Sequence, residues 1–161
     1  MQLPDNIRPI LRNISTYYSS VIEKQFVDDC KTKWDDFNIT SPIEMVLMVS
    51  LICVGLTNNL KGKIEVFPQY HIGDYRVDFC VKSKNHSIVV ECDSQAFHDR
   101  SEKERAYEKK KDRYLQKNNY KVFRFTGRDI LSNPLAIANE VISFAMDMPE
   151  SDLVSLDKWG I

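Results

Sequence analysis

The stretch Tyr75-Arg76-Val77-Asp78-Phe79-Cys80-Val81-Lys82, followed by Ser87-Ile88-Val89-Val90-Glu91-Cys92-Asp93, decides how the rest of the chain is read. Both segments are rich in β-branched and aromatic residues, and Lys84-Asn85 between them suits a turn, so two antiparallel strands are predicted. Strand side chains alternate with a period of two. Tyr75, Val77, Phe79 and Val81 are therefore expected on one face, opposite Arg76, Asp78 and Cys80. In the second strand Ile88, Val90 and Cys92 share a face, opposite Val89, Glu91 and Asp93. An acid within an apolar strand must be desolvated, which is costly unless something positive pairs with it. Asp78, Glu91 and Asp93 on adjacent strands are expected to converge on a metal ion, and oxygen-only ligands favour Mg2+ or Mn2+. The alternative is strand-end acids that face water, or ion bridges to Arg76 and Arg124.

Working outward, Gly73-Asp74 turns into this pair from a strand over Ile64 to Ile72, which Pro68 pushes toward an edge or a bulge. The three strands form an antiparallel meander. Upstream, Ser41-Pro42-Ile43-Glu44 is a helix start, with Ser41 as N-cap, Pro42 in the first position and Glu44 completing a capping box. That helix should run to about Leu56 and turn Ile43, Val46, Leu47, Val49, Leu51 and Ile52 toward a core. Downstream, Ser101 with Glu104 opens a helix to about Asn118, a strand covers Tyr120 to Phe125, and Thr126-Gly127 reads as a turn. A short helical turn over Asp129 to Leu131 precedes a last helix that starts at Asn133-Pro134 and stops at Met148-Pro149-Glu150.

Residues 1–40 read as a helical arm, with apolar positions at helix spacing between Asp5 and Asp36. It is expected to pack on the main domain or on a partner, a second copy of the chain included. The predicted organisation is thus an arm (1–40), a core domain (41–148) and a polar tail (149–161) anchored by Trp159. The class is α/β (α+β): helix, three-strand meander, helix, strand and helix around a central mixed sheet.

A chain of 161 residues supports one well-buried core but not two full domains. The apolar run from Ile43 to Leu56 is too short to span a bilayer and is interrupted by Glu44, so no membrane role is expected. The start Met-Gln-Leu-Pro-Asp lacks the order of a secretion signal. Cys30, Cys53, Cys80 and Cys92 have no zinc-ligand spacing; reduced thiols of a cytoplasmic protein are expected. Net charge is only −1, but residues 100–128 hold eleven Lys or Arg against four acids, a local +7. That block, with Lys109, Lys110, Lys111, Arg113, Arg124 and Arg128, reads either as a phosphate-facing surface or as a solvated helix face.

Tyr75-Arg76-Val77-Asp78-Phe79, Val90-Glu91-Cys92-Asp93, Phe97-His98, Lys111-Asp112-Arg113 and Val122-Phe123-Arg124-Phe125-Thr126-Gly127 follow one another in order. Together they resemble the domains of unknown function related to very short patch repair endonucleases, within the PD-(D/E)XK nuclease superfamily. The resemblance spans Ser41 to about Ala145 and implies a restriction-endonuclease-like core. It implies a Mg2+- or Mn2+-dependent endonuclease acting on DNA, or a module of that fold that binds nucleic acid or protein without cutting. It places Asp78 and Glu91 as the metal-binding acids, with a backbone carbonyl near Cys92. Asp93 stands where the wider superfamily has its lysine, His98 matches the histidine that follows, and Glu44 matches an acid on the first helix. Gln69 resembles a polar residue of the first strand. Two departures matter: Ser94 replaces a usual glycine, and no lysine ends the third strand. Charge must then come from the metal or from a residue such as Arg124 or Lys111.

Overall fold

Ser41 opens helix α1 (Pro42–Thr57): its hydroxyl accepts the N–H of Glu44 at 3.2 Å, and Pro42 sits in the first turn, where no N–H is needed. The computed structural model describes residue 39, residues 41–93 and residues 101–153. The expected N-terminal arm, Cys30, His98 and the end of the tail with Trp159 lie outside these. Met45, Leu47, Met48, Leu51 and Val54 are the buried apolar residues of α1. The predicted inward stripe was right for Leu47 and Leu51, whereas Ile43, Val46, Val49 and Ile52 are half-buried. A helix that is apolar almost all round does not show by period which face is innermost; its packing partner decides.

Strands β1 (Glu65–Ile72), β2 (Tyr75–Lys82) and β3 (Ser87–Asp93) form the expected antiparallel meander. Helix α2 (Glu102–Lys117) then carries the chain back to β4 (Lys121–Thr126), which pairs with β3 in parallel, giving a mixed sheet of order β1-β2-β3-β4. Ser101 and Glu104 close the predicted capping box on α2. Thr126 does more than turn the chain. It caps α3 (Gly127–Ser132) in a second reciprocal box with Asp129, so the helix starts where the strand ends. Gly127 lets α1 come close there: a Cβ would lie 2.6 Å from Cδ1 of Ile43, which would have to shift. Helix α4 (Pro134–Met146) completes the core and ends at Asp147 in a left-handed conformation.

The sheet lies between two helical layers. Leu115 of α2 packs with Ile72, Val77, Cys80 and Val89 on one face. On the other face α1 and α4 pack together, and Phe144 of α4 meets the ring of Phe123 on β4. This is the restriction-endonuclease-like arrangement of elements expected from the sequence.

The strict alternation expected along β2 fails at one place. Val77 and Cys80 pack in the same cluster against α2, and two residues three positions apart cannot share a face of an unbroken pleat. The break lies at Asp78 and its neighbour across the ladder, Gln69: Pro68 pairs Phe79 and Tyr70 pairs Val77, but nothing pairs between them. Gln69 adopts φ 49°, the left-handed region that a non-glycine residue avoids. The register is the same on both sides of this gap, so no residue is inserted. Of the two expectations for Pro68, the edge strand is found and the bulge is not. A one-pair break in the ladder turns Tyr75 and Val77 toward α2.

Candidate active site

The β2–β3 ladder ends at the pair Phe79–Val90. Beyond it the side chain of Asp78 takes over the role of a strand partner: Oδ2 accepts the backbone N–H of Cys92 at 2.7 Å. Asp78 and Glu91 come together at this frayed end. Burial raises the pKa of Asp78; the Cys92 N–H opposes this, and the nearby charge of Glu44 adds to it. Burial likewise pushes Glu91 up to about 7, with Lys111 pulling it back and Asp78 adding repulsion.

Glu91 is 7% exposed and Lys111 of α2 is 5% exposed. The Lys111 ammonium lies 2.5 Å from Oε1 of Glu91. Lys111 belongs to the buried stripe of α2 because it stands one turn before Leu115. It is thus not the surface phosphate contact expected from the basic run, and the spacing to Leu115 was the signal that pointed inward.

Glu44 is buried on α1. Its Oε1 accepts the Ser41 hydroxyl at 3.0 Å and its Oε2 accepts the Gln69 amide at 2.7 Å. The N-cap role and the site role, which compete for one side chain in sequence terms, are divided here. The N–H of Glu44 satisfies the cap, and its carboxylate faces the sheet through Gln69. The left-handed turn of the backbone at Gln69, in the gap of the ladder, is what aims that amide. Sequence reasoning placed Gln69 by resemblance only; Pro68 before it was the physical hint.

Asp93 goes elsewhere. It is 8% exposed and 3.9 Å from Nη1 of Arg124, whose Nη2 binds Asp112 at 2.6 Å and Glu108 at 3.1 Å. The expected convergence of Asp78, Glu91 and Asp93 on one ion is not formed: among the described residues no three His, Cys, Asp or Glu groups come together in that way. The reason is local. Asp78 lies at the pleat break, directed toward the edge of β3, Glu91 is drawn to Lys111, and Asp93 lies two residues further, beside Arg124. Arg124 of β4, half-buried, is held mainly by Glu108 and Asp112 of α2, whereas the alternative reading paired it with a strand acid, of which Asp93 at 3.9 Å is the nearer match. Lys109, Lys110, Arg113 and Arg128 are exposed as expected.

A family model, REase_MTES_1575, matches residues 56–144. The chain belongs to this restriction-endonuclease-like family. No curated protein and no solved structure matches the chain significantly. The segment matched by the REase_MTES_1575 family holds Gln69, Asp78, Glu91, Asp93, Lys111 and Arg124 but not Glu44, which α1 adds to the site from outside the match.

Chemically, the site is a pair of desolvated carboxylates that repel each other beside one buried ammonium. Among the described residues of the site, Oε1 of Gln69 is a buried acceptor without a hydrogen bond. Such acceptors are uncommon and call for a donor or a cation. Cys92 supplies no thiolate, since burial first and the surrounding acids second push its thiol far up. Cys53, Cys80 and Cys92 are thiols rather than disulfides, and no helix among the described residues is long and apolar enough to cross a membrane.

Proposed function

We propose that this restriction-endonuclease-like domain is a metal-dependent nuclease that hydrolyses phosphodiester bonds of DNA. The observation that carries the reading is the meeting of Asp78 and Glu91, both desolvated, at the open end of the β2–β3 ladder. Mg2+ is commonly held by one or two carboxylates and keeps several waters, so this pair fits it without Asp93. Oε1 of Glu91 already faces one cation, the Lys111 ammonium, so positive charge suits this corner of the site. Asp78, Glu91 and the Cys92 carbonyl would hold the ion. In a strand the N–H and C=O of one residue point to the same side, and the Cys92 N–H points at Asp78. When bound, Mg2+ or Mn2+ supplies Lewis-acid polarisation of the phosphate and acidifies water.

The chain's own groups do the rest. Lys111 favours the ionised form of Glu91 and provides the fixed positive charge that the end of β3 lacks. Glu44, oriented by Gln69, adds negative potential at Asp78. Asp93 or His98 is proposed to orient or deprotonate water, with His98 alternatively protonating the leaving oxygen. Exposed Lys109, Lys110, Arg113 and Arg128 would bind flanking phosphates, which gives affinity without sequence information. The ordered motifs relate the chain, within its family, to the very short patch repair endonucleases, and its reduced thiols suit the cytoplasm.

One observation favours a second reading, a module that binds nucleic acid without cutting: Lys111 already neutralises Glu91. A plasmid-nicking assay with Mg2+ or Mn2+ separates the two. The nuclease reading expects nicking by the wild-type chain and none by Asp78→Ala or Glu91→Ala. Equal nicking by both variants overturns it. DNA binding with neither nicking nor heat of Mn2+ binding in calorimetry establishes the second.

A further inference from the structure

The outward flank of α2 carries a pattern of which the nuclease reading uses only Lys110. Lys103, Tyr107, Lys110, Tyr114 and Lys117 recur at alternating steps of four and three, which places them along one face of the helix. Tyr107 is 51% exposed and Tyr114 37% exposed. Neither ring hangs free: both lean on the buried ring of Tyr75, with centroids at 5.6 Å and 5.2 Å. Gly73 in the β1–β2 turn makes room for this, because a Cβ there would overlap the Tyr114 hydroxyl. The two tyrosines are therefore a supported pair of aromatic faces on the surface.

The charges of α2 are sorted in the same way. Glu104 folds back onto Ser101, while Glu108 and Asp112 bind Arg124 on the flank toward β4. Lys111 is drawn inward to Glu91. Glu102 stays exposed in the first turn, and Lys103, Lys110 and Lys117 remain exposed between and beyond the tyrosines. Alternating cations and open π-faces match a polyanion whose bases are unstacked, with phosphates on the lysines and bases on the rings. Duplex DNA keeps its base faces inside the stack and presents only edges and phosphates, so the rings offer it nothing.

We propose that this face of α2 binds single-stranded DNA, so that the substrate carries an unpaired segment beside the bond to be cut. This deepens the nuclease reading and rests on it in naming the substrate; the surface itself stands on α2, Tyr75 and Gly73. Along the helix Lys111, which contacts Glu91, falls between Tyr107 and Tyr114, so a strand on the stripe runs alongside the carboxylate pair.

The test is fluorescence anisotropy of the full chain in EDTA, with a labelled single-stranded oligonucleotide and the blunt duplex of the same sequence. The wild-type chain is expected to prefer the single strand. Tyr107→Ala/Tyr114→Ala should weaken that binding roughly tenfold or more while leaving duplex binding unchanged, and Tyr107→Phe/Tyr114→Phe should retain it. Lys103→Gln/Lys110→Gln/Lys117→Gln, all at exposed positions, should flatten its salt dependence. No preference for the single strand, equal loss for both probes, or an unchanged salt slope in the lysine variant overturns the proposal. The lysine result decides alone if circular dichroism shows the alanine variant unfolded. Because EDTA withholds any metal, a failed nicking assay leaves this outcome intact, and a failure here leaves the test of Asp78 and Glu91 intact.

Discussion

Oδ2 of Asp78 accepts the backbone N–H of Cys92 at 2.7 Å, just beyond the point where β2 and β3 cease to pair. A side chain thus completes a ladder that the backbone has left, and one carboxylate oxygen is spent in fixing the direction of the other. Asp78→Asn can still accept that N–H through its amide oxygen, whereas Asp78→Ala leaves it buried without a partner, a loss of about 1–3 kcal/mol. Urea denaturation should show the asparagine variant at least as stable as the wild type, since repulsion with Glu91 is removed, and the alanine variant clearly less stable. Both should be inactive in nicking. Equal stabilities would remove the structural half of this assignment.

Lys111 and Glu91 form a pair in which each partner makes the other's burial tolerable. Removing one charge from such a pair typically costs about 3–5 kcal/mol, while replacing both with apolar groups is often neutral. Lys111→Met should therefore destabilise strongly, and Lys111→Met/Glu91→Leu should recover most of the loss in chemical denaturation. Where Lys111→Met still folds, the acid limb of its nicking profile should move to higher pH, because the group that lowers the pKa of Glu91 is gone.

The pH dependence of folding follows from the same residue. The pKa of Glu91 is raised from 4.5 to about 7, so the folded state binds this proton more tightly than the unfolded chain. Its contribution to stability is complete below 4.5 and is lost as pH rises through about 7. Asp78 shifts in the same direction. Melting temperatures in chelator are expected to fall between about pH 5 and about pH 8, and to fall less in Glu91→Gln. A steeper fall in the variant would contradict the assignment.

Gln69 combines a left-handed backbone with a part-buried bond to Glu44. Glycine relieves a strain of roughly 1–2 kcal/mol at such a position but loses a hydrogen bond of roughly 1 kcal/mol, so Gln69→Gly should be close to neutral in stability. Gln69→Ala loses the bond and keeps the strain, and should be less stable by about 1–2 kcal/mol. Nicking should drop in both, because Glu44 loses the amide that aims it.

Much of the fold is written locally. Caps at Ser41 and Ser101, turns at Gly73-Asp74 and Lys84-Asn85, and the apolar character of three consecutive strands place the elements to within a residue or two, because each depends on neighbours in sequence. Asp78 and Glu91 stand out by the same means, as charges in apolar strands. What period two could not show is the break where Gln69 and Asp78 leave the ladder and the pleat changes face. Helix spacing to Leu115 hints that Lys111 turns inward, but it could not show that Glu91 would meet it. Nor could it show that Arg124 would be held by Glu108 and Asp112 while Lys109 and Lys110 stay outside. Those outcomes depend on which distant acid stands opposite which cation once α2 crosses the sheet. Formal charge is a property of the sequence; the partner of each charge is decided by tertiary structure, because desolvation leaves a buried ion no option but the nearest opposite charge.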